Sequence, residues 1–286
     1  MRAAIVLFGS VLLSACVGGA VHPGHAASAQ RAPPDCKAAS LQVNGHALWV
    51  DLEGSGSLTV VFEAGGGNDS TAWSDLAPRV RALGVRTFVY DRAGLGRSDV
   101  DPSAYSIGRE VGALRSALDQ CRVQGPIVFV GHSYGGVIGL LASARDERIA
   151  GIVLLDTIVP GFYTPERIAA LLADYRPQYA EVREKAPKLA QAMIPLMEAT
   201  PQTVEALDRE SIPVDLPITD VVAERSNEKT PEAIAAWKSA HQAFVAKSPS
   251  RMSVLAVGSG HKVMQDAPDL VLETVARMIA TVRARH

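Results

Sequence analysis

Residues 129–136 read Phe-Val-Gly-His-Ser-Tyr-Gly-Gly, in which a serine has a glycine two positions before it and two positions after it. Apolar residues at 127–130 predict a short apolar strand before this segment, and apolar residues at 137–144 predict a helix after it. On a sharp strand-to-helix turn, the serine hydroxyl is lifted clear of the sheet, and the glycines leave space for the crowded backbone. We therefore predict that Ser133 is a catalytic nucleophile, with the helix N-terminus directed at the group it attacks.

A serine hydroxyl attacks efficiently only when a base accepts its proton, and His261 is the best candidate for that base. It ends the sequence Gly-Ser-Gly-His at 258–261, directly after the last predicted strand. The C-terminal ends of parallel strands meet at one edge of a sheet, so this loop is expected beside Ser133. The remaining histidines lie near the N-terminus, in a hairpin turn, next to the serine, on a helix and at the end of the chain (His22, His25, His46, His132, His241 and His286).

Two of these other histidines are interpreted as packing residues. His132 adjoins Ser133, and we expect its ring to point away from the serine and to pack beneath the turn. His241 shares a helical face with Trp237 and Phe244, which is typical of a buried or half-buried side chain.

The negative oxygen that forms during attack on a carbonyl needs hydrogen-bond donors that are already in place. One predicted donor is the backbone N–H of Tyr134, at the start of the helix. The other is predicted in the loop Glu-Ala-Gly-Gly-Gly at 63–67, which follows the apolar run at 58–62. Because three glycines let a backbone approach the substrate closely, we assign the second donor to the N–H of Gly66.

Two acidic residues could orient the histidine, and the sequence leaves both open. Asp156 follows the predicted strand at 152–155, and Glu224 follows the next predicted strand, at 217–223. Each lies at the strand end that also carries the serine, where a carboxylate can hold the imidazole and stabilise its protonated form. We favour Asp156, with Glu224 as the alternative.

Strands and helices alternate along most of the chain, which predicts an α/β fold with a doubly wound, mostly parallel sheet. An opening hairpin is predicted at 41–52, around Asn44-Gly45. Buried strands are predicted at 58–62 and 85–90 and further strands at 127–130, 152–155, 217–223 and 252–257, and helices are predicted at 75–83, 107–118 and 268–282.

The alternation is interrupted at about 160–215, after the strand that follows the helix of Ser133. Thr164-Pro165 and Thr200-Pro201 each have the pattern of a helix N-cap followed by proline at the first helical position. Helices inserted at this point would cover the predicted site as a cap. The apolar side chains of one of them predict a substrate with an apolar part (Leu189, Met193, Ile194 and Met197).

Residues from about 41 to 283 resemble the α/β-hydrolase superfamily, in particular its bacterial, cap-bearing serine hydrolases. The motifs that carry the resemblance lie at 62–67, 90–98, 131–136 and 259–261. The resemblance implies an α/β-hydrolase fold and the roles given above to Ser133, His261, Tyr134 and Gly66. In the second motif, Tyr-Asp-Arg-Ala-Gly-Leu-Gly-Arg-Ser, it implies that Asp91 and the glycines shape a turn.

We expect a hydrolase that cleaves a carboxylic ester of small to medium size through an acyl-enzyme, with no metal or organic cofactor. A serine at 133 argues against dehalogenase or epoxide-hydrolase chemistry, because those reactions need a carboxylate nucleophile. Three alternatives stay open: an aminopeptidase-like amidase, a cofactor-free perhydrolase and a non-catalytic binding protein of the same fold. A formal net charge of −2 gives no basic surface for nucleic acid, so the expected partner is a small molecule.

The N-terminus predicts export. Arg2 and the apolar residues 3–13 lead into Leu-Ser-Ala-Cys at 13–16, which resembles a bacterial lipoprotein signal with Cys16 as the lipidated residue. We expect a signal peptide at 1–15, a flexible tether at 16–37 and the hydrolase domain at 38–286. The expected location is a membrane, through the lipid anchor, namely the outer membrane facing the periplasm; a soluble periplasmic or secreted protein is the alternative. In such an oxidising compartment, Cys36 and Cys121 are able to form a disulfide.

Overall fold

The computed structural model describes residues 35–286. The predicted signal peptide, Cys16 and all but the last residues of the predicted tether lie outside this range. Within residues 35–286, no helix is both long enough and apolar enough to cross a bilayer.

Eight strands form one sheet, and they confirm the predicted mostly parallel arrangement. In chain order they are β1 (Ala39–Val43), β2 (His46–Gly54), β3 (Thr59–Glu63), β4 (Arg86–Tyr90), β5 (Ile127–His132), β6 (Ile149–Leu155), β7 (Ile218–Ala223) and β8 (Arg251–Ala256). Their spatial order is β1-β2-β4-β3-β5-β6-β7-β8. The opening hairpin pairs antiparallel, β2 pairs antiparallel with β4, and every later pair is parallel.

Ten α-helices connect and cover these strands within the described range. They are α1 (Leu76–Arg81), α2 (Ile107–Gln120), α3 (Tyr134–Ser143), α4 (Pro165–Tyr175), α5 (Tyr179–Lys185), α6 (Pro187–Glu198), α7 (Thr200–Arg209), α8 (Pro231–Ala246), α9 (Val263–Asp266) and α10 (Pro268–Arg283). Short 3-10 segments lie at Ser70–Trp73 and Arg176–Gln178.

The central strands are buried on both faces, as their continuous apolar runs predict. Along β5, Ile127 and Phe129 contribute to a core on one side of the sheet, where α2 and α3 pack. Val128 and Val130 contribute to the core on the other side, where α1 and α10 pack. This alternation of side chains is the period-two pattern of a strand between two helical layers. It fixes the register of β5, and therefore the position of the turn that follows it.

The predicted cap is present, because helices α4 to α7 all lie between β6 and β7. Thr164 caps α4, since its side chain accepts a hydrogen bond from the N–H of Arg167. The prediction for Thr200 is wrong: it is the first residue of α7, and its hydroxyl donates to the carbonyl of Met197 at 2.7 Å. The preceding helix α6 ends so close to α7 that Thr200 closes the end of one helix instead of capping the next.

Cys36 and Cys121 form a disulfide, with their Cα atoms 5.7 Å apart. Cys121 is the C-cap residue of α2, and Cys36 precedes β1. The bond therefore joins the beginning of the described chain to the layer of helices on one face of the sheet. Because the two cysteines are 85 positions apart in the sequence, this bond restricts the unfolded chain strongly.

Candidate active site

Ser133 lies at the sharp turn between β5 and α3, where its backbone has φ of 51° and ψ of −122°. A positive φ is unfavourable for serine and persists only where the surroundings enforce it. The neighbouring residues show why this turn requires glycine. A β-carbon on Gly135 would lie 2.4 Å from the carbonyl oxygen of Glu63, and one on Gly131 would lie 2.6 Å from the Cα of Gly136. The G-x-S-x-G pattern is therefore set by the close approach of α3 to β5 and β3.

Hydrogen bonds between loops bring the serine, the histidine and one acid to the same edge of the sheet. The N–H of Ser133 donates to the carbonyl of Leu155 at 3.0 Å, which places the turn beside Asp156. The His132 Nε2–H donates to the carbonyl of His261 at 2.9 Å. The three predicted stretches of chain thus converge through contacts made by the serine and by the residue before it.

Asp156 is the acid that contacts the histidine. Its Oδ2 accepts a hydrogen bond from Nδ1 of His261 at 2.7 Å. Its Oδ1 accepts from the N–H of Ala223 and from the indole Nε1–H of Trp237, both at 3.1 Å. The carboxylate is fully buried, whereas the His261 side chain is 21% exposed and can be reached from outside.

Glu224, the alternative acid, lies elsewhere. Its carboxylate is exposed and accepts a hydrogen bond from the N–H of Gly258 at 2.7 Å. It therefore supports the loop that carries His261 without contacting the imidazole. The two candidates that the sequence left open are separated by the structure, which brings Asp156 to His261 and leaves Glu224 facing solvent.

His132 makes a contact that the sequence did not predict. Its ring packs against the His261 ring with centroids 4.7 Å apart, and a β-carbon on Gly65 would lie 2.8 Å from its Nδ1. His132 thus lies between the glycine loop and the His261 loop. Burial, together with the neighbouring His261, lowers the pKa of the His132 imidazole to about 4. The ring is therefore neutral, with its proton on the nitrogen that donates to His261.

Two other histidines are also buried away from this site. His46 begins β2 and pairs with Val43, so its assignment to the hairpin turn is wrong by one position. His241 on α8 is buried, as expected, and its Nδ1 forms a 2.7 Å hydrogen bond with Asp220. The ring of His241 packs edge-on against Trp237, so this helix also supports the residue that donates to Asp156.

The two predicted N–H donors are neighbours in the structure. Tyr134 is the first residue of α3, and a β-carbon on Gly66 would lie 3.9 Å from the β-carbon of Tyr134. Within residues 35–286, the N–H of Gly66 has no hydrogen-bond acceptor. The N-terminal N–H groups of a helix are also unpaired within the helix itself, so both groups are able to bind an anionic oxygen.

The cap helix α6 lies over the glycine loop. A β-carbon on Gly66 would lie 3.4 Å from Cε of Met193, and one on Gly67 would lie 3.9 Å from Cδ1 of Leu189. At the N-terminal end of the same helix, Nζ of Lys188 donates to the carbonyl of Gly96 at 2.7 Å. The apolar face predicted from the sequence therefore faces the loop that carries Gly66. Among residues 35–286 no group of three or more His, Cys, Asp or Glu side chains is arranged to hold a metal ion.

The fold agrees with the comparisons to known proteins. The model of the alpha/beta hydrolase family matches residues 60–274. The chain therefore belongs to the alpha/beta hydrolase family. This family membership supports a hydrolytic activity.

Individual relatives match over shorter stretches. The uncharacterized protein YqjL of Bacillus subtilis is 41% identical over 106 residues, which cover 36% of this chain and 41% of YqjL. Lipase LipV of Mycobacterium tuberculosis is 39% identical over 97 residues, which cover 33% of this chain and 36% of LipV. The chain thus matches about two fifths or less of the length of these two relatives.

Among solved structures, the haloalkane dehalogenase DatA of Agrobacterium tumefaciens C58 is similar, with a TM-score of 0.65 at 15% identity. The similarity covers 86% of this chain and 97% of DatA. At this level of identity, the likeness concerns the fold.

The low pKa of His132 predicts how stability depends on pH. In the unfolded chain this imidazole binds a proton below a pH of about 6.5, whereas in the folded protein it stays neutral down to about pH 4. Because the unfolded state binds more protons in this window, the free energy of unfolding falls as the pH falls from 6.5 to 4. We expect His132→Asn to remove up to about 3 kcal/mol of this decrease.

The measurement is urea unfolding at several pH values between 4 and 7. The quantity compared between the proteins is the slope of the free energy of unfolding against pH. His286→Asn is the control, since His286 is exposed at the end of the chain and its substitution should leave the slope unchanged. Equal slopes for wild type and His132→Asn would show that the buried ring takes up a proton without penalty.

Proposed function

We propose that this protein is a serine hydrolase that cleaves a carboxylic ester of small to medium size through an acyl-enzyme. The observation that carries the proposal is the 2.7 Å hydrogen bond between Asp156 and His261, beside the strained turn of Ser133. A buried carboxylate, a half-buried imidazole and a serine on a strand-to-helix turn form the set of groups that acyl transfer requires. The proposed catalytic residues are Ser133, His261 and Asp156.

The geometry suggests how the reaction proceeds. Because Nδ1–H of His261 donates to Asp156, the other ring nitrogen, Nε2, has a free lone pair and accepts the proton of the Ser133 hydroxyl as it attacks the ester carbonyl. The N–H groups of Gly66 and Tyr134 stabilise the oxyanion. The protonated imidazole then gives its proton to the departing alcohol. In the second half, His261 activates water, which releases the acyl group from Ser133 and restores the enzyme.

The choice of an ester with an apolar part has two supports. Met193 and Leu189 of the cap helix α6 face the glycine loop, so the substrate would meet an apolar surface as it approaches Ser133. One similar protein is named a lipase. A serine at position 133 also favours acyl transfer over dehalogenase chemistry, which needs a carboxylate as the nucleophile.

One prediction of this function concerns the nucleophile. We expect Ser133→Ala to lower kcat for a p-nitrophenyl ester of a short fatty acid by about 10⁴–10⁶-fold, because no other group there can form the acyl-enzyme. A fluorophosphonate probe should label the wild type at Ser133 and should not label the variant. The measurements are the initial rate of ester hydrolysis and mass spectrometry of the labelled peptide.

Ser143→Ala is the matched control, because Ser143 lies at the other end of the same helix and its hydroxyl donates to the carbonyl of Leu140. This variant should hydrolyse the ester and take up the probe as the wild type does. Ester hydrolysis by Ser133→Ala within tenfold of the wild-type rate would refute the mechanism. Absence of labelling in the wild type would favour a binding protein instead of an enzyme.

Another prediction distinguishes the two acids. In Asp156→Asn, an amide NH₂ facing His261 would favour the tautomer with the proton on Nε2, which cannot accept the serine proton. We expect kcat to fall by about 10³–10⁴-fold. Glu224→Gln should lower kcat by less than about threefold, because its exposed carboxylate contacts only the Gly258 N–H. The measurement is kcat for the same ester, and a larger loss in Glu224→Gln than in Asp156→Asn would reverse the assignment.

We also propose that the protein is exported and anchored to the outer membrane through lipidated Cys16. The disulfide between Cys36 and Cys121 supports this proposal, because such bonds persist in oxidising compartments outside the cytoplasm. In a Gram-negative host fed with radiolabelled palmitate, the wild type should carry the label and fractionate with the outer membrane. Cys16→Ala should lose both properties, and an unlabelled, soluble wild type would support the alternative of a periplasmic or secreted protein.

A further inference from the structure

Arg92 is a buried arginine whose guanidinium group lies directly against the glycine loop at 64–67. Its side chain is 3% exposed. Nη1 donates to the carbonyl of Ala64 at 2.6 Å. Nη2 donates to the carbonyls of Gly65 and Gly66, both at 2.7 Å. One side chain thus binds three successive carbonyl oxygens of the loop.

These contacts determine which way the loop directs its N–H groups. In a trans peptide, the N–H points in the opposite direction from the carbonyl of the same peptide unit. The carbonyls of residues 64, 65 and 66 point to Arg92, so the N–H groups of residues 65, 66 and 67 point away from it. Over the described part of the chain, none of these three N–H groups has a hydrogen-bond acceptor. They are therefore free to bind a group that enters from the other side of the loop.

We propose that Arg92 is a positioning residue that holds the N–H of Gly66 in the orientation needed to bind the oxyanion. This inference rests on the proposed function and deepens it, because it names the group that prepares one of the two donors. Glycines at 65, 66 and 67 give the loop backbone many accessible conformations. Donors stabilise a transition state best when they are already oriented before the reaction, and the guanidinium supplies that order.

Arg92 is itself held in place by carboxylates. Nη1 donates to Oε1 of Glu63 at 2.5 Å, the other oxygen of Glu63 accepts from the hydroxyl of Tyr90, and Nε lies 3.7 Å from Oε1 of Glu110. Burial by itself would lower the pKa of Arg92, but the charges of Glu63 and Glu110 raise it above its ordinary value. The guanidinium is therefore charged in the folded protein.

The planar fork of arginine is essential to this arrangement. A guanidinium presents donors in fixed directions in one plane, whereas the ammonium of lysine is a compact group on a flexible chain. Lysine at position 92 would keep a positive charge near Glu63, but it would not reach all three carbonyls together. The variant Arg92→Lys therefore removes hydrogen bonds to the loop carbonyls and keeps a positive charge beside Glu63.

The experiment measures steady-state kinetics of wild type and Arg92→Lys on a p-nitrophenyl ester, together with inhibition by a trifluoromethyl ketone. This ketone forms an oxyanion on the serine and so reports on the donors directly. We expect kcat to fall by about 10²-fold in the variant, with KM within about threefold of wild type. The inhibition constant of the ketone should rise by a similar factor to the loss in kcat/KM.

Arg148→Lys is the matched control. Arg148 also binds a loop carbonyl, that of Val123, and pairs with the carboxylate of Asp146, but it lies directly before β6, at the opposite end of this strand from Asp156. This control should lower the Tm and leave kcat and the inhibition constant unchanged. If Arg92→Lys does not fold, the double variant Glu63→Gln/Arg92→Met, which removes both charges of the Arg92–Glu63 pair, takes its place with the same expected loss of kcat.

The possible outcomes separate the two proposals. If Arg92→Lys lowers only the Tm and keeps kcat and the inhibition constant within about threefold of wild type, Arg92 has a structural role alone and the inference is wrong. If the wild type neither hydrolyses esters nor reacts with the ketone and the fluorophosphonate, the proposed function itself fails. Parallel losses in kcat and ketone affinity in an active, folded enzyme would support the positioning role.

Discussion

The buried carboxylate of Asp156 is the constraint on which the arrangement of the site depends. A charged group removed from water is stable only when its oxygens are supplied with donors. The donors come from three separate parts of the chain: the N–H of Ala223 at the end of β7, the indole of Trp237 on α8 and the imidazole of His261 after β8. The folding of these elements around one carboxylate therefore also fixes the orientation of the histidine.

A second set of buried charges lies on the other side of the serine. There, Arg92 is surrounded by Glu63 and Glu110, and its guanidinium binds the carbonyls of the glycine loop. The two sets have different consequences. The carboxylate of Asp156 selects the tautomer of His261, whereas Arg92 selects the direction of backbone N–H groups. The two sets lie on either side of Ser133. Both are buried, so screening by water and salt weakens their interactions less than it would at the surface.

The helical cap brings apolar side chains next to these charges. Its helix α6 places Met193 and Leu189 against the glycine loop, and its N-terminal end is tied to the loop after β4 through Lys188 and Gly96. A polar centre is thereby covered by an apolar surface. An apolar surface beside a charged group strengthens the interaction of an oxyanion with its donors.

The amino-acid sequence alone determined the features that depend on neighbours along the chain. The glycines around Ser133 reveal its turn because the crowding they relieve is local, and the apolar runs reveal β5 and the other central strands because burial on both faces leaves a local pattern. Thr200 was misjudged because the end of α6 competes for its hydroxyl. Only the tertiary structure decided which of Asp156 and Glu224 contacts His261. It also decided the contacts of Arg92 and Trp237 and the disulfide. Each depends on which distant groups meet, and no local pattern records the distance between them.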